Sequence, residues 1–276
     1  MMNAIYQWFA EPLAFSFMQQ ALIIGLVVAV ICATLSCYLV LKGWSLMGDA
    51  ISHAVLPGIV LAYMLSIPLA IGAFFSGVFC TIAVGYLKTN SRIKEDTVMG
   101  IVFSGMFAIG LVMFTKVESN QHLMHILFGD LLGITVHEFY QSLIISAFVF
   151  LVIVLKRRDF LLYCFDTMHA RTVGLNTTFL HYSLLVLLAL VIISAMQVVG
   201  VILVVAMLIT PGITGYILTK RFERMMLIAI LTSVNSVFWG IFLSFHFDAA
   251  TGPFIVLIQA VVFLTALAVV QLKLRK

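Results

Sequence analysis

The sequence predicts an all-α integral membrane protein, a single polytopic bundle of about nine transmembrane helices. Two observations support this fold class. Of the 276 residues, 63% are hydrophobic and only 9% are charged, whereas soluble domains carry about 25% charged residues. The apolar residues also form runs long enough to cross a hydrocarbon core, which takes roughly 20 residues of helix. Because one bundle uses the whole length, we treat 1–276 as one transmembrane domain.

Helices are the expected spanning elements because lipid cannot satisfy free backbone groups, and no segment alternates as the strands of a barrel do. The boundaries are least distinct near Gly43 and near Gln197. The N-terminus has no basic region or small-residue cleavage site, so we expect the first span to be retained. In order along the chain, the predicted spans are 16–41, 47–66, 68–88, 97–115, 135–155, 178–195, 197–219, 225–246 and 254–273.

The positions of the basic residues predict the orientation of the bundle. With the N-terminus outside, the inward parts are 42–46, 88–96, 156–177, 220–224 and the C-terminal tail. They hold 14 of the 15 Lys and Arg residues, and Lys116 is the exception. Since an excess of Lys and Arg marks cytoplasmic loops, we expect the C-terminus in the cytoplasm. The net charge of +4 reflects this topology, and no nucleic-acid partner is expected.

The second predicted span contains two ionisable residues, Asp49 and His53, in a segment otherwise suited to lipid or a protein core. Positions i and i+4 of a helix share one face, so both side chains can converge on one point. An ionisable residue at membrane depth is costly and therefore indicates a functional site. A carboxylate and a neutral imidazole suit a divalent cation such as manganese, iron or zinc. The alternative is a structural hydrogen bond from Asp49, with His53 as a packed neighbour.

Two ligands are too few for a metal ion, so further ligands must come from elsewhere in the bundle or from water. His125 is the first candidate because it lies where an outer loop re-enters the apolar phase. Pro57 and Gly58 follow the Asp–His pair by one turn, and Pro211 with Gly212 interrupts the seventh span. Transporters use such breaks as hinges around central sites. Tolerated kinks are the alternative, because both residue types are common in membrane helices.

The longest inner connection, 156–177, is too short and polar to span, yet it keeps several apolar side chains. Asp166 can cap a short helix that ends near Gly174. Such a helix could dock into a groove on a cytoplasmic partner or lie in the lipid headgroups, and the residues alone leave both open. No phosphate-cradling motif occurs anywhere in the chain. If transport is driven by ATP, the ATPase is a separate chain.

Several blocks of sequence together resemble the permease family of binding-protein-dependent metal ABC importers, which handle manganese, zinc and chelated iron. The similarity is greatest to the Sit/Yfe-type manganese and iron permeases and runs nearly end to end. The first block is long and specific, whereas the others are weak if taken singly. The blocks are Leu41–Gly58, Lys94–Thr97, His125–Asp130, Phe165–Asp166 with His169–Arg171, and Met207–Gly212.

The resemblance implies a multi-pass permease subunit of a bacterial plasma (inner) membrane, working by alternating access. It implies a permease dimer, homo- or heteromeric, embedded in lipid. It also implies two cytoplasmic ATPase subunits and an extracytoplasmic metal-binding protein as partners. The chain itself is then not an enzyme, since ATP hydrolysis belongs to a separate chain. No cofactor is bound permanently, and the divalent cation, manganese or iron with zinc as the alternative, is cargo.

By the same resemblance, Asp49 and His53 belong to the intramembrane metal site. The segment 160–176 is implied to be the coupling helix that contacts the ATPase. A stand-alone secondary transporter or channel for divalent metal is the alternative function, but it predicts inverted repeats and no convincing internal repeat is found. A zinc-selective ABC permease is the other alternative. The candidate coupling residues are Phe160, Phe165, Asp166, His169, Arg171 and Gly174.

Overall fold

A computed structural model of the chain describes residues 10–44, 46–116, 131 and 133–274. Every regular element in these residues is an α-helix, which confirms the predicted fold class. The helices are α1 (Ser16–Lys42), α2 (Met47–Ala54), α3 (Leu56–Met64), α4 (Leu69–Asn90), α5 (Glu95–Phe114), α6 (Val136–Leu155), α7 (Arg157–Phe165), α8 (Thr167–Thr172), α9 (Thr177–Val199), α10 (Val201–Leu218), α11 (Phe222–His246) and α12 (Thr251–Leu274).

Eight segments of the described chain are long and apolar enough to cross a membrane. They correspond to eight of the nine predicted spans, and α2 and α3 together form one of them, Met47–Met64. The ninth prediction, 197–219, is helix α10, whose apolar stretch Leu203–Leu218 is shorter than the other spans. The prediction of about nine spans therefore becomes eight spans and one short apolar helix.

Helix α1 occupies the centre of the bundle, where it contacts α6, α7, α9, α10 and α11. In its most apolar stretch, 72% of the residues are buried within the chain, against 11% for α12 at the periphery. Lipid tails are as apolar as leucine, so the exposed apolar faces of the outer helices need no protein cover in a membrane. The order of burial therefore separates a central helix from peripheral ones.

The second span has a one-residue discontinuity between α2 and α3 at Val55, whose backbone keeps helical dihedral angles of φ −72° and ψ −24°. The break lies two residues before the predicted position at Pro57 and Gly58, because Pro57 sits in the first turn of α3, where its missing N–H is tolerated. The Ser76 hydroxyl of α4 donates a hydrogen bond to the carbonyl oxygen of Ala54 at 2.7 Å. A Cβ on Gly58 would overlap the carbonyl oxygen of Gly72, so α3 and α4 pack backbone against backbone.

Helix α10 continues through Pro211 to Leu218, so the interruption expected at Pro211 and Gly212 does not end the helix. The Ser36 hydroxyl of α1 supports this position from outside the helix. It accepts a hydrogen bond from the backbone N–H of Gly212 at 2.9 Å and lies 3.4 Å from the carbonyl oxygen of Ile209, to which it donates. A neighbouring helix thus supplies polar partners where the proline disturbs the regular ladder.

The longest inner connection forms two short helices, α7 and α8, where one helix over 160–176 was predicted. Asp166 separates them because its backbone is extended, with φ −147° and ψ 99°. Its carboxylate accepts hydrogen bonds from the backbone N–H groups of Met168 and His169, each at 2.9 Å. Gly174, with φ +88°, follows the end of α8. The predicted cap and end are confirmed, and the helix before Asp166 is additional.

The four cysteines, Cys32, Cys37, Cys80 and Cys164, are all buried and unpaired. Three lie on the spanning helices α1 and α4, and Cys164 lies on α7. Burial raises the pKa of the Cys164 thiol to about 12, because the thiolate loses hydration there. These residues therefore act as small apolar packing groups.

Candidate metal-binding site

Asp49 and His53 lie one turn apart on α2, and the imidazole Nε2 of His53 is 3.3 Å from the carboxylate Oδ1 of Asp49. The helical spacing read from the sequence therefore does bring the two groups together. Each side chain is 37% exposed in the isolated chain, so both remain accessible from one side. The pair spans a short helix, with Asp49 in its first turn and His53 in its last turn, two residues before Val55.

Two phenylalanines of α5 form the wall beside His53. The imidazole is stacked on the Phe103 ring, with centroids 6.0 Å apart, and is perpendicular to the Phe107 ring at 5.2 Å. These residues were not predicted from the sequence, although their spacing of four places them on one face of a helix. Two aromatic rings restrict the orientations open to the imidazole.

A neighbouring side of α2, one residue round the helix from the pair, packs on α10. A Cβ on Gly48 would lie 3.3 Å from a methyl group of Leu208, so the two helices are in close contact there. The hydroxyl of Ser52 is buried and donates to the carbonyl oxygen of Gly48 at 2.8 Å. Helix α2 is thus held between α5 and α10, and Asp49 and His53 occupy the side that remains partly open.

Within the described ranges, no group of three or more His, Cys, Asp and Glu side chains lies close enough to hold a metal ion. The described part of the chain therefore offers a pair of donors. His125, the predicted third ligand, lies outside the described residues. Carboxylate and imidazole are hard and borderline donors of the kind that bind divalent manganese, iron and zinc.

The predicted coupling residues fall into different environments on α7 and α8. Phe160 is 1% exposed and packs on the Tyr38 ring of α1, so it anchors the segment to the bundle. Phe165 is 79% exposed. Arg171 donates to the Thr177 hydroxyl at 3.1 Å, and Gly174 ends the segment. His169 is exposed, and Asp166 acts as the helix cap.

Met168 adds a second large apolar side chain to the exposed surface of this segment, at 71% exposure. Phe165 and Met168 lie on either side of Asp166, and we call these two side chains the apolar patch; Val173, at 60% exposure, is a further exposed apolar side chain of this connection. Met168 was not among the predicted coupling residues. Its apolar character was visible in the sequence, but its direction depends on the cap at Asp166.

Eight helical segments long and apolar enough to span a membrane define a polytopic membrane protein. Residues 14–270 match the ABC 3 transport family. The chain therefore belongs to this family. It is a multi-pass permease subunit of the bacterial plasma membrane, and ATP hydrolysis is carried by a separate chain.

Individual relatives cover almost the whole chain. It is 60% identical over 266 residues to the chelated iron transport system membrane protein YfeD of Yersinia pestis, covering 96% of this chain and 90% of the relative. It is 51% identical over 262 residues to the manganese transport system membrane protein MntB of Synechocystis, covering 95% and 86%. These relatives confirm the resemblance found in the sequence.

A solved structure supports the fold independently. The chain is similar to PsaBC from Streptococcus pneumoniae in complex with Fab, with a TM-score of 0.85 and 38% identity over 95% of each chain. The arrangement of helices described above is therefore that of a known permease fold.

Proposed function

We propose that this chain is the permease subunit of an ATP-driven importer of divalent manganese or iron, and that Asp49 and His53 bind the ion within the membrane. The observation that carries the proposal is the 3.3 Å approach of His53 Nε2 to Asp49 Oδ1 on a partly open side of α2. Relatives named for iron and manganese transport support the choice of cargo.

The chemistry of the pair suits passage of a dication. The carboxylate offsets part of the positive charge, and the neutral imidazole supplies a directional nitrogen donor. A dication takes four or more ligands, so the pair forms one part of the site. The remaining ligands come from water, from His125 or from a second permease subunit. An incomplete set of protein ligands also favours release of the ion, which transport requires.

The apolar patch of Phe165 and Met168 is the proposed contact with the ATPase. Phe165 is the last residue of α7, and Met168 lies in the first turn of α8, which is capped by Asp166. Both side chains are exposed. Exposed apolar side chains on a short helix fit a hydrophobic groove on a partner. The basic residues of this connection favour a cytoplasmic position, which is the side on which the proposed ATPase subunits would bind.

The proposed mechanism is alternating access. The ion leaves an extracytoplasmic binding protein at the outer face and reaches Asp49 and His53. ATP-driven closure of the two ATPase subunits moves α7 and α8, and this movement opens the route to the cytoplasm. The permease makes and breaks no covalent bond in this cycle.

The test is metal uptake by the complete transporter reconstituted in liposomes with its ATPase and binding protein. Asp49→Ala and His53→Ala are expected to abolish uptake of manganese and ferrous iron, with assembly of the complex intact. Asp248→Asn and His137→Ala are the matched controls, because both side chains are exposed and lie away from α2. Normal uptake by both α2 variants would refute the site.

Two further arms separate the alternatives. Uptake that persists with an ion gradient but without the ATPase would instead indicate a secondary transporter or channel. Competition between manganese, ferrous iron and zinc in the same liposomes measures selectivity, and preferential uptake of zinc would replace the proposed cargo.

A further inference from the structure

The inner end of α1 meets the cytoplasmic segment at a lysine. Lys42, the last residue of α1, donates from its ammonium Nζ to the Thr167 hydroxyl of α8 at 3.0 Å. The same ammonium lies 4.0 Å from the centroid of the Tyr163 ring of α7. The Thr167 hydroxyl in turn donates to the carbonyl oxygen of Tyr163 at 3.3 Å. One side chain thus holds both short helices.

Tyr163 continues the contacts into the membrane bundle. It is 3% exposed, and its hydroxyl is 2.9 Å from Nδ1 of His181 in α9. The His181 ring is perpendicular to the indole of Trp44, with centroids 5.1 Å apart. Trp44 is 1% exposed. The contacts therefore run from Lys42 through α7 and α9 to Trp44, which lies two residues after Lys42 in the sequence.

The connection from this cluster to α2 is short. Gly43 has φ +76°, and the backbone N–H of Trp44 donates to the carbonyl oxygen of Leu39 at 2.8 Å, so the chain leaves α1 through a fixed left-handed turn. Helix α2 begins at Met47, and Asp49 lies in its first turn. The backbone N–H of Met47 also donates to the carbonyl oxygen of Trp44 at 3.1 Å, so a displacement of Trp44 can be passed to the helix that carries Asp49 and His53.

The contacts of Lys42 seen in the described residues are with uncharged groups, the Thr167 hydroxyl and the Tyr163 ring. None of the ion pairs found in the described residues involves it. Its hydroxyl and aromatic-face contacts have defined directions. By contrast, Arg157 of α7 pairs with Glu223 of α11 at 2.6 Å, but these side chains are 47% and 78% exposed. That second attachment lies in solvent, where screening weakens it.

We propose that Lys42, Tyr163, Thr167, His181 and Trp44 form a mechanical joint that transmits movement of α7 and α8 to α2. Lys42 and Tyr163 are positioning residues in this joint, since neither touches the transported ion. The inference rests on the proposed function, because it needs α7 and α8 to follow the ATPase. It adds the route by which that movement reaches the metal pair.

The experiment measures metal ions imported per ATP hydrolysed by the reconstituted complete transporter. Lys42→Met removes the ammonium but keeps an apolar stem, and Tyr163→Phe removes only the hydroxyl that contacts His181. Each is expected to lower the ratio about tenfold while ATP hydrolysis continues, which is a coupling loss of ordinary size. Lys220→Met and Tyr216→Phe are matched controls on exposed side chains, and both should keep the wild-type ratio.

A second readout separates transmission from folding. In Tyr163→Phe the thermal midpoint of the purified complex should stay near that of the wild type, so that a lower ratio reports coupling. If Lys42→Met does not assemble, Tyr163→Phe alone decides. An unchanged ratio in Tyr163→Phe overturns the joint. A matching fall in the Tyr216→Phe control also overturns it, because the effect would then be unspecific.

The same experiments distinguish failure of the proposed metal import from failure of the proposed joint. If wild-type transporter imports metal and Asp49→Ala abolishes import, the proposed function stands whatever the joint variants do. If wild-type transporter imports no metal, the proposed function fails first, and the joint falls with it.

Discussion

The chain contains two Pro–Gly steps within apolar segments, and they behave differently. At Pro57–Gly58 the helix ends at Ala54 and starts again at Leu56. At Pro211–Gly212 the helix continues to Leu218. Both steps were predicted as hinge-like breaks, with tolerated kinks as the alternative, because proline lacks the N–H that the helix ladder needs. Only the first produces a discontinuity, one residue long, at Val55, where the backbone keeps helical dihedral angles.

The two Pro–Gly steps differ in the hydrogen bonds that neighbouring helices make beside them. Beside the first step, Ser76 donates to the carbonyl of Ala54, so the end of α2 has a partner outside the helix. Beside the second, Ser36 both accepts from the Gly212 N–H and donates to Ile209, which bridges the disturbed turn. One serine stabilises a helix end, and the other spans a kink. Whether a membrane helix continues through a proline therefore depends on the polar groups that neighbouring helices provide there.

The largest loss of stability is expected from substituting Gly58, the glycine of the first Pro–Gly step. In Gly58→Ala the new Cβ would overlap the carbonyl oxygen of Gly72 across the α3–α4 contact. Backbone atoms cannot move aside as a flexible side chain can, so we expect destabilisation of about 3 kcal/mol or more, with little folded protein. Thermal unfolding in detergent checks this. Gly105→Ala is the control, because its Cβ meets nothing within 4 Å, and similar behaviour of the two variants would refute the expected clash.

A smaller effect is expected at the second glycine. In Gly212→Ala the Cβ would press on the Ser36 hydroxyl and its backbone, where α1 and α10 touch. Part of this contact is one side-chain atom that can rotate, so we expect about 1–3 kcal/mol. The same unfolding measurement applies. The comparison fails if Gly212→Ala costs more than Gly58→Ala.

The smallest losses of stability are expected from substituting Ser36 and Ser76. These variants test most directly whether the serines cause the difference between the two Pro–Gly steps. Ser36→Ala removes a donor to the Ile209 carbonyl oxygen and the acceptor of the Gly212 N–H. Ser76→Ala removes one donor. We expect each to cost about 1 kcal/mol, with the larger loss for Ser36→Ala. A larger loss for Ser76→Ala, measured as a shift in thermal midpoint, would reverse the assigned roles.

Much of the fold follows from the sequence for a physical reason. Lipid forces long apolar helices, so the runs of hydrophobic residues mark the spans. The pairing of Asp49 with His53 is equally local, because a spacing of four fixes their shared face. Both features depend on residues close together in the chain, and the structure reproduces both.

Features that depend on distant residues could not be predicted in this way. The exact end of α2 depends on Ser76, which is 22 residues from Ala54. The contact of Lys42 with Thr167 joins residues 125 apart, and from the sequence Lys42 indicated only topology. Likewise, Phe160 was expected in the coupling surface, but its burial against Tyr38 depends on how α7 lies on α1. The role of His125 as a ligand stays a prediction.

Because the four native cysteines are buried, we expect them to react little with thiol-directed labels. Maleimides react with thiolates, and a Cys164 pKa of about 12 leaves almost no thiolate at neutral pH. The other three thiols are enclosed by helix packing. A single cysteine introduced on an exposed position of α8 would then be the one reactive thiol, and a spin label or fluorophore placed there could follow the segment through each ATP cycle without first deleting native residues.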